Sequence, residues 1–177
     1  MRTLYLFTLV VAAGCGTDPL SNGGFEIDCG GHPCDWIVTE GQASFGSGWH
    51  DGDPAIDLSG AGRAVVEQRA APLHLLEREL LLEAAIACGP GVSLRFELNW
   101  YAQGSAAGAT FWATQPQLID SRPLTVDQTG VFQFKKLTAS PSLEAQGLVF
   151  RIVKEGAGQA LVDEIHLRPY YDQQGGY

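Results

Sequence analysis

The chain has 177 residues, 45% of them apolar, which is the size and balance of one ordinary globular domain and excludes a disordered tail or a multidomain enzyme. Twenty acidic residues against eleven basic ones give a formal charge of −9, so the electropositive footprint of a nucleic-acid-binding surface is absent. Charged residues are only 18% while Gly numbers 22, a composition that suits short strands joined by tight turns better than solvated helices.

Met1-Arg2-Thr3 supplies one positive charge, and Leu4 to Val11 is an apolar run passing into Ala12-Ala13-Gly14-Cys15. The run is far shorter than the roughly 20 apolar residues of a membrane span and has the layout of an export signal. Ala-Ala-Gly-Cys resembles the bacterial lipobox, with Ala12 where Leu or Val is commoner. That resemblance implies removal of residues 1–14, lipidation of Cys15 and attachment to a membrane through acyl chains; a plain secretory signal is the alternative. Residues 15–21 are then expected to form a tether, 22–169 one domain, and 170–177 a polar tail. On this reading the domain lies outside the cytoplasm.

Cys29 and Cys34 bracket Gly30-Gly31-His32-Pro33, a loop able to reverse tightly enough for a disulfide in an exported chain. Zinc-type ligation by Cys29, His32 and Cys34 is the competing reading, but no second Cys/His pair completes a tetrahedron. Cys88 is left over in an apolar run as a buried thiol.

Downstream, Ala64 to Arg69 and Leu80 to Cys88 read as strands, although Leu73 to Ala87 also has helical propensity. Gly89-Pro90-Gly91 then turns into the clearest strand, Val92 to Tyr101. There Val92, Leu94, Phe96, Leu98 and Trp100 alternate with Ser93, Arg95, Glu97, Asn99 and Tyr101. Phe132 to Lys135, Leu148 to Val153 and Leu161 to Leu167 alternate likewise. The expectation is an all-β fold, a two-sheet antiparallel β-sandwich.

Four segments carry a family resemblance: Asn22-Gly23-Gly24-Phe25-Glu26, Trp36-Ile37-Val38-Thr39, Asp57-Leu58-Ser59-Gly60 leading to Val66-Glu67-Gln68, and Val162-Asp163-Glu164-Ile165-His166-Leu167. In this order they resemble the galactose-binding-like jelly rolls, specifically carbohydrate-binding modules of the cellulose- and xylan-binding type and the related DUF642 and choice-of-anchor domains. The resemblance spans nearly the whole chain after Cys15. It implies a glycan partner and a structural Ca²⁺ held by Glu26, Asp163 and the Gly24 carbonyl, oxygen donors that a hard cation prefers. Asp163 is in phase with Ile165 and Leu167, so its carboxylate is expected on the core face, where a charge needs a partner. Asp163 bonded to turn amides is the alternative to metal.

The candidate ligand surface is the polar side of the clearest strand, Arg95, Glu97, Asn99 and Tyr101, extended by Trp112 and by Gln133, Lys135 and Arg151 from strands expected beside it. Trp49 with His50 is a second aromatic candidate, and Trp36 and Trp100 read as core. No catalytic pattern emerges: Ser47 lacks a nucleophile elbow, the histidines lack metal-site spacing, and Glu67, Glu83 and Glu97 are carboxylates whose pairing spacing alone does not establish. The acidic loop Asp51, Asp53, Asp57 lacks the pattern of an EF-hand. The sequence therefore points to a non-catalytic, lipid-anchored, extracytoplasmic glycan-binding domain. A structural or protein-interaction module built on the same sandwich is the alternative.

Overall fold

The computed structural model describes residues 18–50, 52–60, 62–70, 80–102, 117–126, 133–139 and 144–169. Cys15, Trp112 and the tail 170–177 lie outside these residues. Every regular element among them is a strand: β1 Ile37–Glu40, β2 Ser44–Ser47, β3 Pro54–Asp57, β4 Ala64–Ala70, β5 Leu80–Cys88, β6 Ser93–Ala102, β7 Gln117–Val126, β8 Gln133–Ala139, β9 Gly147–Glu155 and β10 Ala160–Pro169. They form two antiparallel five-stranded sheets, ordered β1-β4-β9-β6-β7 and β2-β3-β10-β5-β8, the jelly-roll sandwich that the alternation called for. Leu80 to Cys88 is a strand, so the helical alternative fails there; β1, β2, β3 and β7 were not anticipated. Three of these have four residues each, too few for a period of two to stand out. β7 holds Pro123 and lies at a sheet edge, where a missing N–H is tolerated.

The core is built from the alternation itself. Leu94, Phe96, Leu98 and Trp100 of β6 face Leu148, Phe150 and Ile152 of β9 and, across the gap, Leu80, Leu82 and Ile86 of β5 with Val162, Ile165 and Leu167 of β10. Phe150 stacks on Phe96 at 5.6 Å and meets the edge of Trp36 at 6.0 Å, and Trp36 lies 5.2 Å from Phe25. Offset and edge-on arrangements at these distances add about 0.5–1.5 kcal/mol each to the apolar burial. Trp36 and Trp100 are core, as expected. Trp36 Nε1 donates to the Asn22 carbonyl at 3.1 Å, whereas Trp100 Nε1 is buried without an acceptor. Its large apolar contact offsets that loss.

The segment expected to be a tether is partly inside the domain. Leu20 is buried in the core cluster. Ser21 exchanges two hydrogen bonds with the Gln68 side chain, at 2.7 and 2.8 Å, and Asp18 accepts the amides of Leu20 and Leu167. The reason is chemical: Gln68 lies on the core side of β4, buried, and needs backbone partners that only a docked segment provides.

Cys29 and Cys34 are joined by a disulfide, and Cys88 is a buried thiol whose Sγ donates to the Val92 carbonyl at 3.8 Å. Asn22 braces the small loop, donating from Nδ2 to the carbonyls of Ile27 and Cys34, both at 3.0 Å. Replacing both bridge cysteines with Ala should cost about 2 kcal/mol, since the closed ring is short. Phe150→Ala should cost about 3–5 kcal/mol. Urea unfolding of the two variants beside wild type checks the order: disulfide loss the milder, Phe150 loss the more severe.

Candidate functional site

With even-numbered residues of β6 and β9 packed inward, odd-numbered ones face out, and the register aligns them in rows. Glu67 on β4, Arg151 on β9 and Glu97 on β6 form one row; Arg69, Val149 and Asn99 the next, with Ser121 of β7 beside Asn99; Gly147 and Tyr101 the one after. The structure thus brings Arg95, Glu97, Asn99, Tyr101 and Arg151 onto one outer face, as the sequence reading proposed.

Gln133 does not join them. It begins β8, an edge strand of the opposite sheet paired with β5, and the same holds for Lys135. Alternation states which residues share a face of one strand but not which strands are neighbours, so the expected extension through Gln133 is corrected. Trp112 lies outside the described residues.

The face is laced with charge. At its centre Glu67 is only 1% exposed, yet it stands on the outer side of the sheet. Its Oε1 accepts Arg69 Nε at 3.2 Å and Nη2 at 2.9 Å, and its Oε2 accepts Arg151 Nε at 3.0 Å. A buried carboxylate needs its oxygens filled by hydrogen-bond donors or cations, and here two arginines fill them. Toward one end Arg95 Nε donates to Glu97 at 2.9 Å and Nη1 to Glu155 at 3.1 Å, and Arg63 bridges Glu155 and Glu40 at 2.7 and 2.8 Å. The Glu97 hydrogen bond, with Glu155 assisting, holds the Arg95 guanidinium charged above its already high ordinary range. Toward the other end Ser121 Oγ donates to Asn99 Oδ1 at 2.6 Å.

Glu67 and Glu97 stand two strands apart, about 10 Å at the backbone, with Arg151 between them. Each is ion-paired with arginine rather than with the other carboxylate. Glu83 belongs to the other sheet. There Lys136 at 2.9 Å and Arg168 bind it. Burial is the largest single influence and pushes the carboxyl up, but the cations together outweigh it and leave the carboxyl below its usual range.

The metal expectation rests on Glu26, Gly24 and Asp163. The Asn22–Phe25 segment does meet β10, because Ile165 N donates to the Gly23 carbonyl at 3.0 Å. The Glu26 side chain, exposed, folds back over Gly24. Asp163, however, is not on the core face. Its register partner is Ala85, while His166 pairs with Glu83, so Glu164 and Ile165 share one place in the ladder. Glu164 takes φ of 50°. This bulge resets the alternation: Val162 and Ile165 point inward, and Asp163 points to the outer side. There it is 1% exposed beneath the loop between β2 and β3, accepting Trp49 N at 2.8 Å and Glu164 N at 2.7 Å. A Cβ on Gly48 would lie 2.6 Å from its Oδ2, so only glycine allows the loop to close this tightly. Both oxygens hold amide donors, and among the described residues no cluster of three or more His, Cys, Asp or Glu surrounds them. Asp53 and Asp57 serve turns: Asp53 accepts Gly48 N through its carbonyl, and Asp57 Oδ1 accepts Ser59 N. Trp49 and His50 sit edge to face at 6.1 Å on the same loop, both exposed.

A shallow groove of about 360 Å³ opens at the sandwich edge, lined by Val38, Gln42, Ala43, Ser44, Asp57 and Ser59. None of the ligand residues read from the sequence lines it.

The two-sheet topology is that of the carbohydrate-binding-module jelly rolls. TmCBM61, solved in complex with β-1,4-galactotriose, superposes with a TM-score of 0.60 at 17% identity, over 87% of this chain and 99% of that one. The CBM22-1 xylan-binding domain of Paenibacillus barcinonensis Xyn10C gives 0.55 at 17% identity, over 89% and 97%. The enzymatically active domain of bacteriophage CBA120 tailspike protein 4 gives 0.64 at 14% identity over 85% of this chain, which spans only 21% of that protein's length. No family model matches the sequence, and no curated protein matches it. The described domain is a carbohydrate-binding-module-like β-sandwich; at these identities the likeness is one of fold.

Burial pushes the Asp163 carboxyl above its ordinary pKa of 3.8, with the Trp49 and Glu164 amides opposing and nearby Glu164 and Asp53 adding repulsion. The folded chain therefore takes up this proton at higher pH than the unfolded chain, so this group alone adds stability as pH falls toward 3.8. The urea midpoint of wild type, measured relative to Asp163→Asn, should rise between about pH 7 and about pH 4. A difference that stays level across that range would mean that Asp163 titrates alike in both states.

Proposed function

We propose that the domain is a non-catalytic glycan-binding module whose ligand lies across β4, β9 and β6 on the outer face of the β1-β4-β9-β6-β7 sheet. The observation that carries this reading is the convergence of Arg95, Glu97, Asn99, Tyr101 and Arg151 on one face. It occurs on a fold shared with a module holding galactotriose and with a xylan-binding domain. Sugars are gripped by an aromatic against the C–H side of the ring and by amide and charged groups that read the hydroxyls. Tyr101 supplies the first and the arginine, glutamate and asparagine side chains the second.

Two further proposals accompany it. Export and lipidation at Cys15 would hold the domain at a membrane surface, and Glu26, Asp163 and the Gly24 carbonyl are the oxygen donors that a structural Ca²⁺ would use. The sugar-binding reading depends on neither. A scaffold or protein-interaction module without sugar binding is the second reading. It is favoured by the ion pairs that already engage Arg63, Arg69, Arg95 and Arg151 with glutamates of the same face.

Calorimetric titration with β-1,4-galacto-, xylo- and gluco-oligosaccharides, in chelator and in added Ca²⁺, separates these readings. Binding of at least one series is expected, weakened about tenfold by Tyr101→Ala, or about 1.4 kcal/mol. No binding of any series in either condition leaves the scaffold reading standing. Cys15→Ser should move the protein from the membrane fraction to the soluble one, and a variant still membrane-bound after a salt wash would refute the anchor.

A further inference from the structure

We infer that the groove at the edge of the sandwich, between β1 and β2, is a second sugar site that takes a single neutral ring through its hydroxyl groups. The inference rests on the glycan-binding reading for the class of ligand and adds a place that none of the outer-face residues reaches. The starting point is a contrast in how polar groups are used. On the outer face Glu67, Arg95, Glu97 and Arg151 are engaged with one another and with their neighbours. In the groove the polar side chains are largely unengaged. Asp57 uses one carboxylate oxygen, Oδ1, to accept Ser59 N at 2.7 Å, and its Oδ2 has no partner among the described residues. Ser59 Oγ accepts Ala160 N at 3.1 Å, which leaves its O–H to donate. The side chains of Gln42 and Ser44 make no hydrogen bond among the described residues. Asp57 is half-buried and the other three are exposed, so all four are open to a ligand.

Both walls of the groove are fixed before any ligand arrives. Ser44 lies directly opposite Asp57 in the β2–β3 ladder, so the two side chains share one side of the sheet. Gly41, in the turn that leads from β1 to β2, has φ of 71°, and a Cβ there would lie 2.3 Å from the Arg63 carbonyl oxygen. Only glycine lets this turn press so closely on the backbone beside it. The wall that carries Ser59 is held from beneath. Lys154, on the core side of β9 and 1% exposed, donates its ammonium to the carbonyls of Gly60 at 2.6 Å and Gly62 at 3.1 Å. Gly60 and Gly158 also exchange amide–carbonyl bonds at 3.2 Å in both directions. Burying an ammonium with carbonyl partners alone is costly, and what it secures is this loop. A preformed site loses little ordering entropy when it binds.

The lining selects the ligand. Asp57 is its one charged group and it has no cation, so an anion entering the groove meets like charge. Val38 and Ala43 supply a small apolar floor. A sugar hydroxyl both donates and accepts, and so is matched by the Asp57 Oδ2 acceptor, the Ser59 donor and the two-way Gln42 amide. The volume of about 360 Å³ stands at the low end of small-molecule sites, about 300–1,000 Å³, which suits one ring rather than a long chain. With no aromatic platform in the lining, the site binds weakly, with a dissociation constant on the order of 1 mM.

The test is a titration of the ¹⁵N-labelled full chain with cellotriose, β-1,4-galactotriose and xylotriose in the presence of chelator, followed by the NMR shifts of its amides. At least one trisaccharide should move the Gln42 side-chain amide and the backbone amides of Gly41, Ser44 and Ser59 along one binding curve. Gln42→Ala and Asp57→Asn should each weaken that curve at least about tenfold, while Tyr101→Ala leaves it unchanged. Gln42 is exposed, and Asn at position 57 retains the oxygen that accepts Ser59 N, so neither variant removes a contact of the fold. Glucuronate should bind the groove at least about tenfold more weakly than glucose, because its carboxylate faces Asp57. Movement of the Asn99 and Tyr101 amides with the groove amides still overturns the inference and leaves the glycan-binding reading in place. Groove shifts that survive both variants overturn the assignment of Gln42 and Asp57, and glucuronate binding as tight as glucose overturns the neutral class. Movement of neither set with any of the three trisaccharides overturns the glycan-binding reading together with this inference.

Discussion

Phe150 stands between Phe96 and Trp36, and most of what the molecule presents to solvent follows from that packing. β9 is the central strand of its sheet, flanked by β4 and β6. Turning Phe150 inward obliges its neighbours Val149 and Arg151 to face out. The same commitment by Phe96 and Leu98 on β6, and by Val66 on β4, turns Glu97 and Glu67 outward in line with Arg151. A one-residue slip in β9 would bury the guanidinium and expose the ring, so the core contact and the outer charge row are two sides of one constraint.

The outer face is organised in turn by a buried charge. Glu67 on a sheet surface would ordinarily be solvated, but here it lies under two guanidiniums that use both its oxygens. The arrangement exchanges solvation for orientation. It holds Arg69 and Arg151 in place while the remainder of the face is neutralised by its own ion pairs. Exposed pairs of that second kind contribute little stability individually, of order 0–1 kcal/mol. Their value lies in geometry, since they fix the side chains of this face against one another.

Covering segments complete the sandwich by supplying polar partners. The Asp18–Ser21 stretch satisfies Gln68 and places Leu20 in the core. The loop between β2 and β3 gives Asp163 a backbone amide and hides its carboxylate. Burial also raises the Asp18 carboxyl above its usual range, against the opposing pull of the Leu20 and Leu167 amides and of His166. Asp18 and Asp163, on segments far apart in the chain, thus meet the same environment: a carboxylate held by amides under a docked strand or loop. At both, desolvation outweighs the hydrogen bonds.

The sequence alone determined what depends on near neighbours. Period two over Val92 to Tyr101 and over Leu148 to Val153 revealed strands and their inward faces, because side-chain direction alternates within a single strand. The Cys29–Cys34 bridge was legible because its loop closes locally, and Trp36 and Trp100 were legible as core from phase and motif. Everything that depended on which strands lie side by side came from tertiary structure. Gln133 falls on the opposite sheet although its strand reads no differently from one of the first sheet. Glu67 meets Arg151 across 84 positions of chain, a pairing set by register and invisible to spacing. Asp163 reverses its face because Glu164, a residue with no intrinsic preference for positive φ, is forced into it by the bulge that lets β10 pair with β5 on both sides. Local alternation is a property of the backbone and is written in the residues. Strand partnership is a property of the packed core, where the best overall burial decides and no single segment carries the instruction.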